Sequence, residues 1–228
     1  MTPRGLGSAL LRHLYGGVTD EGRRQSCGAA WRPWTIAAAA GLTALGALAL
    51  HLMGRRLWCS CGSPSPWSWD IWSLHNSQHV LDPYTFTHVL HGALYYAVLW
   101  LLLGSRWPPL RALLAVMVEV GWEVGENTNA VIEAYRESTI SLNYYGDSIA
   151  NSVGDVIAFA LGYTGAMRLP AWVSALTFLA VEAALLLTIR DSLLLNVVML
   201  LHPVAAIKTW QIDRKSTRLN SSHLFISR

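Results

Sequence analysis

Two histidines and a set of carboxylates stand in segments otherwise suited to hydrocarbon. His88 and His91 open one apolar stretch, Glu119, Glu123 and Glu126 close the next, and Asp147, Asn151 and Asp155 open the one after. Consecutive membrane-crossing helices alternate direction, so the start of one, the end of the next and the start of the third share a membrane face. A charged group at a bilayer centre costs about 2.5–3.5 kcal/mol on insertion scales, so such groups are expected to be paired and to serve a function. Helical spacing sets Tyr84, His88, His91 and Tyr95 on one stripe and Glu119, Trp122, Glu123 and Glu126 on a second. Asp147, Asn151 and Asp155 make a third, with Ser148 and Ser152 beside them.

Imidazoles from one helix and carboxylates from two others supply the nitrogen and oxygen ligands of a divalent metal such as zinc or manganese. A metal held there could bring a bound water toward a pKa of about 7 and hydrolyse a lipid-linked ester or phosphate. In that reading His88, His91, Glu123 and Asp147 are the ligands, and Glu126 or Asp155 is the base. Arg136, folding in from the following loop, holds an anionic group. His79 and Asp82, just ahead of the second stretch, complete the ligands or act as general acid and base. Glu119, Asn151 and Tyr145 belong to the same polar site. The same residues fit two other readings. One is a metal-free hydrogen-bonded network in a non-enzymatic membrane factor, and the other is translocation of a small solute, ion or proton.

The elements that must position these groups are membrane helices. Of 228 residues, 53% are hydrophobic and 14% charged, a balance too apolar for an ordinary soluble domain. Five stretches approach the roughly 20 residues a spanning helix needs: Thr35–Gly54, Thr85–Gly104, Pro109–Glu126, Asp147–Met167 and Ala171–Ile189. A sixth, Leu193–Ile207, is shorter, is broken by His202 and Pro203, and reads as re-entrant, interfacial or a distorted span. The expected fold is therefore an all-α polytopic transmembrane bundle of five spans plus that sixth segment. Gly121 and Gly125 form a G-x-x-x-G step, and Gly154, Ala158, Gly162 and Ala166 recur every fourth residue, which predicts close packing of the third span on the fourth. Asn127–Gly146 is expected to be an outer loop.

Residues 1–33 read as a mobile basic extension, 34–212 as the transmembrane domain, and 213–228 as a non-native tail. Asp213 to His223 matches the translation of a short-read sequencing adapter. Without that tail, Lys+Arg falls from 17 by four and Asp+Glu from 14 by one, leaving 13 against 13. No nucleic-acid partner is expected from that balance; the expected partners are membrane lipids. Arginine bias puts the N-terminus in the cytoplasm and the polar cluster on the outer side of an inner membrane. Trp31, Trp34, Trp58, Trp107 and Trp172 lie near span ends, as an aromatic belt would. Cys59 and Cys61 form a weak Cys-x-Cys signal for a bridge or a metal. Glu182 lies mid-span in the fifth stretch, and Arg190 with Asp191 reads as a local surface charge pair.

Four runs carry a resemblance: NSQHVLDPYTFTHVLHG from Asn76, WEVGEN from Trp122, YRESTISLNYYGDSIANSVGD from Tyr135 and RDSLLLNVVMLLHP from Arg190. Together they resemble an uncharacterised family of bacterial multi-pass inner-membrane proteins, the domain-of-unknown-function family 2585, over about Trp58 to Trp210. The resemblance implies a plasma-membrane protein and no established activity. Asp147-x-x-Ala-Asn151-x-x-Gly154 is also faintly similar to VanZ-like membrane proteins, although two helix histidines and Asp155 depart from their pattern.

Overall fold

A computed structural model describes residues 26–139 and 144–213, so most of the basic extension and all of the tail after Asp213 lie outside the described residues. Seven helices follow in order: α1 (Pro33–Leu52), α2 (Thr85–Leu103), α3 (Pro108–Glu126), α4 (Asn129–Ser138), α5 (Ile149–Arg168), α6 (Ala171–Ile189) and α7 (Leu193–Leu201). A helical turn precedes them at 26–30 and a further helix starts at 205. Among the described residues there is no strand, and the fold is all-α as its apolar periodicity implies. The residues expected to loop between Asn127 and Gly146 instead include α4, whose Ile132 is buried and whose Glu133, Arg136 and Glu137 are exposed.

Local sequence sets the helix ends. Proline occupies the first turns of α1 and α3, where its missing N–H and fixed φ carry no penalty. Ser148 caps α5 by accepting from the Asn151 N–H at 3.1 Å, and Ser192 caps α7 by accepting from the Leu195 N–H at 3.3 Å. At the start of α7, Glu182 from mid-α6 accepts from Leu193 N at 3.0 Å and Leu194 N at 3.3 Å. A buried carboxylate at a helix N-terminus is favoured by the exposed amides there.

α1, α2 and α6 are long and apolar enough to cross a membrane. α3 and α5 are equally long, with 19 and 20 residues. Their average apolarity is lowered by Arg111, Glu119, Glu123 and Glu126 on one and by Asn151, Ser152 and Asp155 on the other. All of these except Glu126 are buried inside the bundle. α5 is the central element: twelve of its twenty residues are buried, against three in each of the peripheral helices α1 and α6. Outward-facing leucines such as Leu45 and Leu48 on α1, Leu101 and Leu102 on α2, and Leu179 and Leu187 on α6 leave an apolar exterior.

The small-residue stripe on α5 packs against α2 rather than α3. A Cβ built on Gly92 would stand 2.1 Å from the Phe159 carbonyl, and one on Gly162 would stand 2.0 Å from the Val89 carbonyl. Gly154 presses likewise on the Val80 carbonyl, at 2.2 Å, in the segment leading into α2. Gly121 and Gly125 meet nothing within 4 Å, so the G-x-x-x-G step on α3 makes no such contact. The reason lies in the neighbours: α3 turns Glu119 and Glu123 toward α2, and carboxylates that must reach histidines do not permit backbone-to-backbone approach. Around this pair, Phe159, Tyr163 and Met167 of α5 pack with Ala112, Ala115 and Val116 of α3.

Gly162→Ala should lower unfolding stability in detergent by about 1–3 kcal/mol, because backbone must move to admit the methyl group. Gly121→Ala should change it by less than about 0.5 kcal/mol. Thermal unfolding of the two purified variants measures the difference, and equal stabilities would contradict this packing.

Candidate functional site: an acid-rich cavity at one end of the bundle

The start of α2, the end of α3 and the start of α5 meet at one end of the bundle. His88 is the hub. Its Nδ1 lies 2.7 Å from Glu119 Oε1 and 3.3 Å from Glu123 Oε1, and its Nε2 lies 3.9 Å from Asp155 Oδ2. His91 Nδ1 stands 3.3 Å from Glu119 Oε2. The two imidazoles meet edge to face at 5.0 Å, and Tyr95 stacks on His91 at 5.8 Å. Spacing along α2 sets this up: residues one helical turn apart project from the same face. Gly92 lets that face approach α5.

A cavity of about 310 Å³ opens beside the cluster, near the lower limit of typical small-molecule pockets. His88, His91, Glu126, Asp147, Asn151 and Asp155 give it a polar floor. Leu94 of α2 and Leu193, Val197 and Leu200 of α7 give it an apolar wall. Glu119 Oε2, both Glu123 oxygens, Asp155 Oδ1 and Asn151 Nδ2 are buried without a hydrogen-bond partner. Buried polar atoms are nearly always satisfied, so orphans grouped beside one cavity could be completed by water, a proton or an ion. Two overlapping sets offer converging ligand atoms: His88, His91 and Glu119, and His88, Glu123 and Glu126.

The other expected site residues have different partners. Asp147 lines the cavity, but Asn127 Nδ2 donates to its Oδ2 at 2.7 Å and the Tyr144 hydroxyl contacts both its oxygens at 3.0 Å. It belongs to neither group of converging ligand atoms, whereas Glu119 belongs to one. Asp82 accepts from the backbone N–H groups of Ser77 at 2.9 Å, Tyr84 at 2.7 Å and Thr85 at 3.2 Å, which makes it the anchor of the α2 entry turn. Burial, with the Asp147 charge added, pushes its carboxyl up to about 6. Arg136 is exposed on α4, does not line the cavity, and donates its Nε to the Tyr144 carbonyl, so it is too far committed to hold an anion there. The Tyr145 hydroxyl donates to the Leu74 carbonyl at 2.9 Å. His79 turns away into the loop above, beside Cys61.

Sequence reasoning passed over Asn127 and misread Asp191. Asn127 is fully buried and joins α3 to α5: besides its bond to Asp147, it donates to the Glu123 carbonyl at 2.9 Å and accepts from Asp147 N at 2.7 Å. Its position directly after Glu126 was the available signal. Asp191 is buried, not paired with Arg190 at the surface. It accepts from the Tyr84 hydroxyl at 2.9 Å, from Ser192 N at 2.9 Å and from Gln211 Nε2 at 3.3 Å. Arg190 instead stacks on Trp210 and donates to its carbonyl. No feature of the local sequence distinguishes these alternatives, because the partners lie on distant segments.

A family model described as "Protein of unknown function (DUF2585)" matches residues 50–213. A UPF0314 protein of Paracoccus denitrificans is 47% identical over 170 residues, covering 73% of this chain and 86% of that protein. UPF0314 proteins of Sinorhizobium fredii and Sphingopyxis alaskensis are each 44% identical, over 85% and 78% of this chain and 95% and 94% of their own lengths. No solved structure matches.

Burial pushes the Asp191 carboxyl up to about 7 from an ordinary value of 3.8, so the fold prefers its protonated form. That preference stabilises the protein below about pH 4 and is lost as pH rises toward 7, a change on the order of a few kcal/mol. Wild-type melting temperature should therefore fall between pH 4 and 7.5, and Asp191→Asn should shrink that fall. Equal slopes for the two proteins would show that Asp191 does not titrate in this window.

Proposed function

The chain belongs to the DUF2585 family, and from that premise we propose an inner-membrane, metal-dependent hydrolase acting on the ester or phosphoester bond of a lipid-linked substrate. The single observation carrying the proposal is the set of orphaned carboxylate oxygens beside two histidines at the floor of a cavity with an aliphatic wall. Such a cavity suits an amphipathic molecule, with its polar group at the floor and its chain against Leu94, Leu193, Val197 and Leu200.

The membrane frame rests on length and composition. Helices α1, α2, α3, α5 and α6 have 19 or 20 residues, so each is about 28–30 Å long, close to the hydrocarbon thickness. We take all five as spans, because the polar groups of α3 and α5 face inward. α7, with nine residues, reaches only about 14 Å and cannot cross alone. Exposed Trp34, Trp107 and Trp172 stand at the starts of α1, α3 and α6, the ends opposite the cavity, as an interfacial belt would. Arg32, Arg106 and Arg168 share that end, which supports a cytoplasmic assignment for it and a periplasm-facing cavity.

Five buried acids, Asp82, Glu119, Glu123, Asp147 and Asp155, surround the two imidazoles. The buried Arg111 sits about two to three helical turns from Glu119 and Glu123, over the Tyr96 ring. A divalent ion or protons must balance that excess. His88, His91 and Glu119 are taken as the ligands, one of the two groups whose ligand atoms converge; a bound ion would supply an activated water. Glu126, half-buried and lining the cavity, would take the proton. Asp155 faces His88 Nε2 at 3.9 Å, and Asn127 with Tyr144 fixes Asp147 at the rim.

A second reading, a metal-free proton-sharing network in a non-enzymatic factor or carrier, is favoured by the 2.7 Å contact of His88 with Glu119. That length is a hydrogen bond, shorter than the roughly 3.3 Å separating adjacent nitrogen and oxygen ligands on a tetrahedral metal. Metal entry would displace the proton and spread this pair by about half an ångström.

Manganese titration of detergent-purified protein decides between them. Wild type should bind one equivalent at this site, His88→Ala with His91→Ala should lose it, and Glu126→Gln should keep it while lowering release of lipid-derived product at least tenfold. Undiminished turnover of chelator-treated protein would exclude the metal reading.

A further inference from the structure

A second group of ligand-type side chains lies outside the cavity, in the loop between α1 and α2. Cys59, Cys61, His75 and His79 direct one ligand atom each to a common point, all within 4.8 Å of one another. Cys59 and His79 are buried, whereas Cys61 and His75 form the outer edge. None of these residues belongs to the acid-rich site.

The geometry points to a Cys2His2 zinc site that closes the loop over the cavity. Zn–S of about 2.3 Å and Zn–N of about 2.0–2.1 Å at tetrahedral angles put neighbouring sulfur and nitrogen ligands about 3.5 Å apart. The two observed Cys–His distances bracket that value: Cys59 Sγ to His75 Nδ1 is 3.2 Å and Cys61 Sγ to His79 Nε2 is 3.7 Å. Both thiols are free rather than joined in a disulfide.

Outer contacts already orient the ligands. His79 Nδ1 meets the Ser65 carbonyl at 2.5 Å, which places its proton there and leaves Nε2 as a lone pair facing Cys61. A histidine donating its far nitrogen to a carbonyl is the usual support of a metal-binding imidazole. The Cys61 N–H donates to Cys59 Sγ at 3.4 Å, which orients that sulfur. Trp58 packs edge-on against the His79 ring at 5.7 Å, shielding one side.

The chain path explains the ligand set. Gly62, at φ +68°, turns the chain just after the Cys-x-Cys pair. Ser77, at φ 58°, bends the His75-x-x-x-His79 segment, whose two rings meet edge to face at 6.1 Å. The histidine spacing is a common zinc spacing; the cysteine spacing is one residue shorter than usual. Four protein ligands leave no open position, so the ion is structural rather than catalytic.

What the ion would hold is the roof of the cavity. Between His75 and His79, Asn76 and Ser77 line the cavity itself. The Ser77 carbonyl accepts from Ser148 N at 2.8 Å, and Gln78 Nε2 donates to the Gly146 carbonyl at 2.8 Å. The loop thus sits directly on the N-terminus of α5, and fixing His75 to Cys59 fixes that lid.

The test uses the full chain purified in detergent without chelator. Wild type should carry one equivalent of zinc that Cys59→Ser with Cys61→Ser loses and that His88→Ala with His91→Ala retains, which separates this site from the acid-rich one. Cobalt-exchanged wild type should show a thiolate-to-cobalt charge-transfer band and tetrahedral d–d bands. This spectrum needs no variant to fold. Thiol reactivity of wild type should rise at least tenfold on chelation. Full zinc content in the double cysteine variant, absence of the thiolate band, or a Cys59–Cys61 disulfide detected by mass would each overturn the assignment.

Discussion

Charge balance around His88 is the constraint on which the rest of the structure depends. An ionised carboxylate taken from water into a low-dielectric interior loses several kcal/mol of hydration even after relaxation, and only partners or protons restore it. Here Glu119, Glu123 and Asp155 converge on one imidazole, and among the described residues His91 is the one other base in contact with the group. The Arg111 guanidinium, although buried, lies against Tyr96 near the opposite end of α3. The cluster is thus held acid-rich by geometry, because no cation in the described bundle can reach it.

That geometry follows from backbone contact. α2 and α5 touch main chain to main chain at Gly92 and Gly162, and Gly154 receives the Val80 carbonyl two turns earlier. With those distances fixed, His88 has nowhere to point but between α3 and α5. α3 stands off further, leaving the space that its glutamates fill. Close approach on one side and separation on the other are therefore two consequences of the same residue pattern: small residues where backbones meet, long acidic ones where a site must remain.

How far this could be read from sequence depended on whether the informative contact was periodic. Convergence of His88, Glu119, Glu123 and Asp155 on one end was legible, because helix direction alternates and the polar residues recur at helical spacing. The all-α fold and all five long helix positions followed from the same periodicity to within about two residues. α4 was not legible, since its ten residues are polar on average and resemble a loop. Nor were the roles of Asp82, Asp147 and Asp191, each set by a partner far along the chain or by main-chain amides. Packing of the α5 stripe on α2 rather than α3 was hidden for the same reason: small residues announce a contact without naming its partner. The loop group was legible only as a weak Cys-x-Cys signal, and His79 was read into the acid-rich site, because no sequence rule brings His75 back onto Cys59 across sixteen positions.

The buried acids divide by what their oxygens meet, and this division locates the chemistry. Asp82 is held by three main-chain amides, Asp147 by Asn127 and Tyr144, Asp191 by Tyr84 and Ser192, and Glu182 by the first amides of α7. Each of these ties one segment to another, and its oxygens are largely used in doing so. Glu119, Glu123 and Asp155 keep oxygens that nothing in the bundle satisfies. Leaving a buried acceptor unpaired costs about 1–3 kcal/mol, more when it is charged. Several such penalties at one point are hard to reconcile with a purely architectural role, since the neighbouring acids show how readily this fold supplies donors where it needs only to stand. The unpaired set gathers on His88, which lines the cavity together with Asp155, and the paired set holds the surrounding segments in place.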